Sequence, residues 1–272
     1  MNLKKLSHQV ALVFLLGLWL GIYQACVTTQ PAPPLPQSPW GGRYAYSYAV
    51  RGPVSPPSSV PVTIAVVNPS YKEEESALGT ELYNKIGKGL SASMGSDLDK
   101  ILISKGLTTT GPFASLDEIT FSEKKAAALT LAPRVFVTAE IHTSESNQIP
   151  GTDRAEQSFD MSVTGWMSFI MQEPLSGQKM WIKKLELDAI QKHGVIDIES
   201  VPQYSGGSGC GGPVLTSYQA GKVLYDGRVD AVASALQEMY PVVLSQFEKY
   251  IDSNELVQLK EKSKEIRESK VY

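Results

Sequence analysis

The stretch Val62-Thr63-Ile64-Ala65-Val66-Val67 places the tightest constraint on the fold. It is β-branched and apolar at both parities, so as a strand it needs cover on both faces. Only a layered arrangement supplies that cover. Asn68-Pro69-Ser70 ends the run. After Glu73-Glu74-Glu75, the residues Leu78, Leu82, Ile86, Leu90, Met94, Leu98, Ile101 and Leu102 recur at helical spacing through Lys105, and Gly106 supplies a stop. Gly79, Gly87, Gly89 and Gly95 weaken this helix in isolation, which implies either a break or close approach to another backbone. A short strand over Gly106 to Phe113 follows. Strand, helix, strand favours a right-handed crossover and a parallel pair.

Downstream, Thr120 and Glu123 stand in capping-box relation at the head of a helix reaching Leu129. Arg134 to Ile141 alternates as a strand, and the polar run His142 to Glu156 reads as a loop. Phe159 to Met171 is a strand that turns through Glu173-Pro174-Leu175-Ser176-Gly177-Gln178 into Lys179 to Leu187, the clearest hairpin in the chain. Neither parity of the return strand is clean, so a bulge or twist is expected there. Val195 to Ile198 and Val201-Pro202 lead into a glycine-rich loop. From Asp226 the chain turns helical, with an apolar stripe from Val229 to Phe247 that reaches about Tyr250 and a kink or break at Pro241. The segment Glu248 to Lys270 carries six basic and six acidic residues and reads as a terminal helix, either solvated or docked on a neighbour. The expected class is α/β, a mixed sheet with helices packed against it. A β-α-β-α-β start is followed by a hairpin and a C-terminal helical region.

The N-terminus sets the compartment. Lys4 and Lys5 precede an apolar run, Val10 to Tyr23, of signal-peptide size. It ends in Tyr23-Gln24-Ala25-Cys26, which resembles a bacterial lipobox, although Tyr23 and Gln24 depart from the residues such motifs prefer. The reading is a signal peptide over 1–25 and acylation at Cys26, so that a membrane lipid holds the chain. Val27 stands where an Asp would signal inner-membrane retention, which favours the outer membrane. Residues 26–59 then form a spacer and arm, 60–250 a single α/β domain, and 251–272 a charged helix or tail.

Within 26–59, Pro31 to Pro39 is a polyproline-like spacer. Trp40, Tyr44, Tyr46 and Tyr48 follow it, and the tyrosines recur with period two, so they share a face if extended. They read either as an arm packed on its own domain or as contacts laid on a neighbouring protein. The loop containing Gly206, Gly207, Gly209, Cys210, Gly211 and Gly212 lacks the Lys and Ser or Thr of a phosphate-binding loop, and reads as a flexible or partner-ordered surface. With Cys26 acylated, Cys210 has no intramolecular partner. Neither metal ligands nor a cofactor motif is recognisable, since His8 leaves with the leader and only His142 and His193 remain. A net charge of -3 argues against nucleic acid as a partner. The chain carries no HExxH, no G-x-S-x-G and no paired carboxylates at recognisable spacing, so no enzyme is expected.

The hairpin Phe169-Ile170-Met171-Gln172-Glu173-Pro174-Leu175-Ser176-Gly177-Gln178, its return strand ending Leu185-Glu186-Leu187-Asp188, and Ser205-Gly206-Gly207 resemble the HpaA-like family of neuraminyllactose-binding hemagglutinin lipoproteins. The order of signal peptide, lipidated Cys, opening strand, long helix and Lys-rich C-terminal helix is similar too. The resemblance implies an outer-membrane lipoprotein of sheathed flagella or cell surfaces. The resulting expectation is a non-enzymatic structural or interaction subunit of a cell-envelope assembly, such as a secretion-system or flagellar outer-membrane complex, held in a homo- or hetero-oligomeric ring. The alternative is a surface adhesin for sialylated glycans.

Overall fold

The computed structural model describes residues 34–38, 44–71, 83–205 and 214–270. The leader, Cys26, Trp40 and the loop Gly206, Gly207, Gly209, Cys210, Gly211 and Gly212 lie outside the described residues. In chain order the elements are β1 (Thr63–Val67), β2 (Ser70–Tyr71), a π-helical turn (Tyr83–Gly87) running into α1 (Lys88–Ser104), β3 (Thr108–Phe113), α2 (Phe121–Ala126), β4 (Leu129–Leu131), β5 (Arg134–Gln148), β6 (Arg154–Gln172), β7 (Lys179–Ser205), β8 (Val214–Asp226), α3 (Gly227–Tyr250) and α4 (Ser253–Ser269). This is the expected α/β class, with a mixed sheet ordered β2-β5-β6-β4-β1-β3 and extended by β7 against β6 and β8 against β7.

The double-sided burial demanded by β1 is met. Ile64 and Val66 enter the main core, while Ala65 and Val67 join Ile119 and Ala127 in a small cluster on the opposite face. β1 is parallel to both β3 and β4. Along α1, Leu90, Met94, Leu98, Ile101 and Leu102 are buried, and Gly106, at φ +82°, closes the helix where an L side chain would be strained. The helix glycines serve close approach: a Cβ on Gly89 would sit 3.2 Å from the Tyr44 carbonyl, and one on Gly95 would collide with the Asn68 amide.

β6 is the spine of the sheet. Phe159, Met161, Val163, Met167 and Phe169 alternate toward the helices, where α3 meets them with Val232, Leu236, Val243, Leu244 and Phe247. The expected hairpin bulge occurs twice in the β6–β7 pairing, between Val163 and Gly165 and between Met171 and Gln172. The capping box at Thr120 is complete.

Five expectations are corrected. The helix from Thr120 ends at Ala126, because Leu129 to Leu131 pair with β1 and β6 as a buried strand. His142 to Glu156 is not a loop: β5 runs to Gln148 and β6 begins at Arg154, joined by a tight turn. Backbone pairing of Ser146, Asn147 and Gln148 with Gln157, Glu156 and Ala155 extends the ladder where side chains carry no apolar signal. The pieces after Leu187 belong to one 27-residue strand, and residues 214 to 226 pair with it as β8. α3 continues through Pro241, so of the expected kink or break the break is excluded. Finally, the compact body does not begin at Val60 or stop at Tyr250. The arm from Tyr44 packs into the core, and α4 docks on the same body through Leu256, Leu259 and Ser263.

The far part of the sheet differs from the rest. Where β5 to β8 pair beyond Phe159, the buried residues among the described side chains are Arg154, Ala155, Asp197 and Ser200, and the Arg154 guanidinium grips the Asp197 carboxylate, with Nε at 3.1 Å. Backbone pairing and this buried ion pair, rather than an apolar core, hold it.

The Phe169 and Phe247 rings lie 4.5 Å apart and both are fully buried, joining β6 to α3 at the core centre. Phe169→Ala should therefore cost about 3–5 kcal/mol, measured by urea unfolding as a lowered midpoint at unchanged m-value.

Candidate functional site

The extended segment Tyr44 to Gly52 crosses α1 and α3 as a strap, and its side chains alternate as the period-two pattern requires. Ala45 and Ser47 are exposed while Tyr46 and Tyr48 are buried. Three carboxylates on the two helices receive it. Asp230, near the start of α3, accepts hydrogen bonds from Ser38 Oγ and Tyr44 Oη, each at 2.7 Å, and from Tyr225 Oη at 2.9 Å. Asp97, in the middle of α1, accepts from the Tyr48 backbone N–H at 2.8 Å and from Tyr240 Oη at 2.9 Å, and pairs with Lys100. Glu248, in the last turn of α3, accepts from Tyr48 Oη at 2.7 Å and from the backbone N–H groups of Arg51 and Gly52.

All three acids are nearly buried, Asp97 at 3%, Glu248 at 6% and Asp230 at 8% exposure. A carboxylate in such a place is tolerable only when donors surround it, and the strap supplies donors to each. Burial alone would raise the Glu248 carboxyl, but the bonds from Tyr48, Gly52 and Arg51, with the nearby Lys105 charge, outweigh it and hold the group below the usual carboxylate range. Burial and then the bond to Glu248 push the Tyr48 phenol up, and Tyr225 is pushed up to about 12 by burial and Asp230. Tyr46 plays a different part. Its ring packs on Tyr240 at 5.4 Å, and its hydroxyl is buried without a hydrogen-bond partner among the described residues.

The tyrosines were candidates for contact with a neighbour. Of the two readings of the arm, the structure places Tyr46 and Tyr48 in the first, packed on their own domain, because each finds an aromatic surface or a carboxylate there. Sequence reasoning found their shared face but missed Asp97, Asp230 and Glu248. A usable signal was present: each acid sits inside an apolar helical stripe, beside Leu98, Val229 or Phe247, where a lone carboxylate must meet donors.

A second latch fixes the other end of the chain. Arg267 of α4 donates from Nε to Glu173 at 2.7 Å and caps the carbonyls of Lys125 and Ala127. The Glu173 carboxylate is fully buried in the β6–β7 turn. Burial would raise it, but bonds from Ser176, the Leu175 N–H and Arg267 together keep it lowered.

The face of the sheet opposite α1 and α3 carries an aromatic pair. Phe136 stacks on Trp166 with ring centres 5.7 Å apart, and Lys184 Nζ stands 5.1 Å over the Trp166 ring. Ile182, on the adjacent strand, is 53% exposed. Among the described residues no group of His, Cys, Asp and Glu could hold a metal ion, and no helix is long and apolar enough to cross a membrane.

No family model matches the chain, and no curated protein matches it. Among solved structures, a protein described as a neuraminyllactose-binding hemagglutinin homologue from Helicobacter pylori aligns with a TM-score of 0.51 at 17% identity, covering 79% of this chain and 97% of that one. Lipoprotein GNA1162 of Neisseria meningitidis aligns at 0.22 with 15% identity over 49% of this chain and 84% of that one. CT253 of Chlamydia trachomatis aligns at 0.20 with 14% identity over 51% and 73%. At those scores the last two do not bear on the fold. The first shows a fold relationship with the hemagglutinin homologue.

The clamp yields a paired test. Tyr48→Phe removes the donor to a buried carboxylate and should cost about 1.5–3 kcal/mol, whereas Tyr46→Phe removes an orphaned hydroxyl and should be neutral or stabilising. Glu248 has a lowered pKa in the folded state, so its contribution is full above the unfolded value of about 4.3 and is lost as pH falls through the folded value. Glu248→Gln should therefore destabilise at pH 7, and the difference from wild type in urea unfolding should shrink below about pH 4.

Proposed function

We propose that the protein is a non-enzymatic, lipid-anchored protein of the outer membrane that acts as a structural or interaction subunit of an envelope assembly. The observation that carries this reading is the strap. The segment that follows the lipobox-like Cys26 is bonded to both core helices through Asp97, Asp230 and Glu248, so an acylated N-terminus would tether the folded body through only the few residues between Cys26 and Ser38. A body held that way presents the long strands β5 to β8, whose far end buries few side chains, to neighbouring proteins. Membership of the HpaA-like family, the absence of catalysis and the outer-membrane address belong to this proposal.

Crosslinking and mass spectrometry in membranes of the native host test it. The expected outcome is crosslinks to other envelope proteins or to further copies of the chain, lost together with membrane retention in Cys26→Ser. A wild-type protein that stays in the membrane, crosslinks to nothing and migrates as a monomer after detergent extraction would contradict the proposal.

A second reading, a surface adhesin for sialylated glycans, is favoured by the Phe136 and Trp166 pair with Lys184 above it. Aromatic faces beside polar groups stack on sugar rings, and the structural neighbour is itself described as a neuraminyllactose-binding hemagglutinin homologue. On this reading a glycan array gives sialylated hits that Trp166→Ala abolishes. A uniformly negative array removes the adhesin reading and leaves the assembly reading intact.

A further inference from the structure

The parallel strands β4, β1 and β3 end together on one side of the sheet, and the chain leaves them in different directions. From β1 it crosses through α1, which packs on the Ile64 and Val66 face. From β3 it passes through Ile119, α2 and Ala127, which cover the Ala65 and Val67 face. Adjacent parallel strands whose connections depart on opposite faces leave a crevice at their carboxyl ends. A cleft of about 160 Å³ lies there, bounded by Val67 and Asn68 after β1, Ala114 and Ser115 after β3, and Ala132 and Pro133 after β4.

The cleft is chemically lopsided. Arg134, Lys179 and Gln172 contribute to its wall, and among the described residues no Asp or Glu lines it. Neither Arg134 nor Lys179 has an ion pair among the described residues. The nearby Glu118 carboxylate is turned to the Ala114 N–H.

One polar side chain of that wall is also unpaired. Gln172, only 8% exposed, makes no side-chain hydrogen bond among the described residues. Buried polar groups are ordinarily bonded, so an unpaired amide in the wall of a cleft calls for an occupant.

We propose that this cleft binds the phosphate of a phosphate monoester. Two cations with no ion pair and no facing carboxylate among the described residues match a dianion better than a single carboxylate, since a phosphate monoester carries about -1.5 to -2 charges at pH 7. The Arg134 fork accommodates two phosphate oxygens, Lys179 supplies a mobile ammonium, and the Gln172 amide gains the acceptor it lacks. The phosphate belongs either to a small soluble ester or to a lipid headgroup. The site lies on the sheet, apart from the strap, and does not depend on the assembly reading.

Calorimetric titration of the full Cys26→Ser chain with glycerol 3-phosphate, against glycerol as control, tests the soluble source. Flotation of the same protein with phosphatidylcholine vesicles, with and without phosphatidic acid, tests the lipid source. Binding in either arm that Arg134→Gln and Lys179→Gln each weaken at least tenfold, while Lys264→Gln on α4 leaves it unchanged, supports the site and identifies its source. Both cleft variants remove exposed side chains, and an unchanged thermal midpoint certifies that they fold. Absence of binding in both arms, or binding that survives both cleft substitutions, overturns the proposal.

Discussion

Three carboxylates buried between α1, α3 and the strap govern this structure. Asp97, Asp230 and Glu248 occupy positions where an apolar helical stripe would ordinarily carry Leu or Val, and each would be costly to bury alone. Besides Tyr225, Tyr240 and Lys100, their donors are Ser38, Tyr44, Tyr48, Arg51 and Gly52, roughly fifty to two hundred positions away in sequence. Strap and helix pair therefore complete one another: the helices supply the acceptors, and the strap supplies hydroxyls and backbone N–H groups. The apolar core under them, centred on Phe159, Phe169 and Phe247, fixes the helices firmly enough that the acceptors stand in register.

The C-terminus repeats the device. Glu173 is buried in the β6–β7 turn, and Arg267 arrives on α4 to neutralise it. The strap and α4 are thereby tied to the sheet-and-helix body by charge-assisted bonds as well as by apolar contact. The uncovered sheet face and the long strands remain as the surfaces that can meet neighbours.

Much of the body was legible in the residues. β1 announced its double burial, the 3.6-residue stripe and Gly106 marked α1, Thr120 and Glu123 marked α2, and the Glu173 to Gln178 turn marked the hairpin. What escaped has a common cause. β4 is too short to show a period, and the far ends of β5 and β7 with β8 are built from Ser, Asn, Gln, Glu and Thr as much as from apolar residues. Pairing partners rather than side-chain patterning make such segments into strands. The tyrosine face of the strap was visible, but the surface receiving it was not, because its three acids are scattered over two helices and declare themselves only when the tertiary fold brings them together.

The central claim is that the strap is part of the cooperative fold. Hydrogen–deuterium exchange read at the backbone N–H groups of Tyr48 and Gly52, which donate to Asp97 and Glu248, tests it most directly. If the clamp holds, both amides are protected to nearly the same degree as those of α1 and β6. Exchange at the rate of an unstructured peptide, with α1 and β6 still protected, would contradict the account.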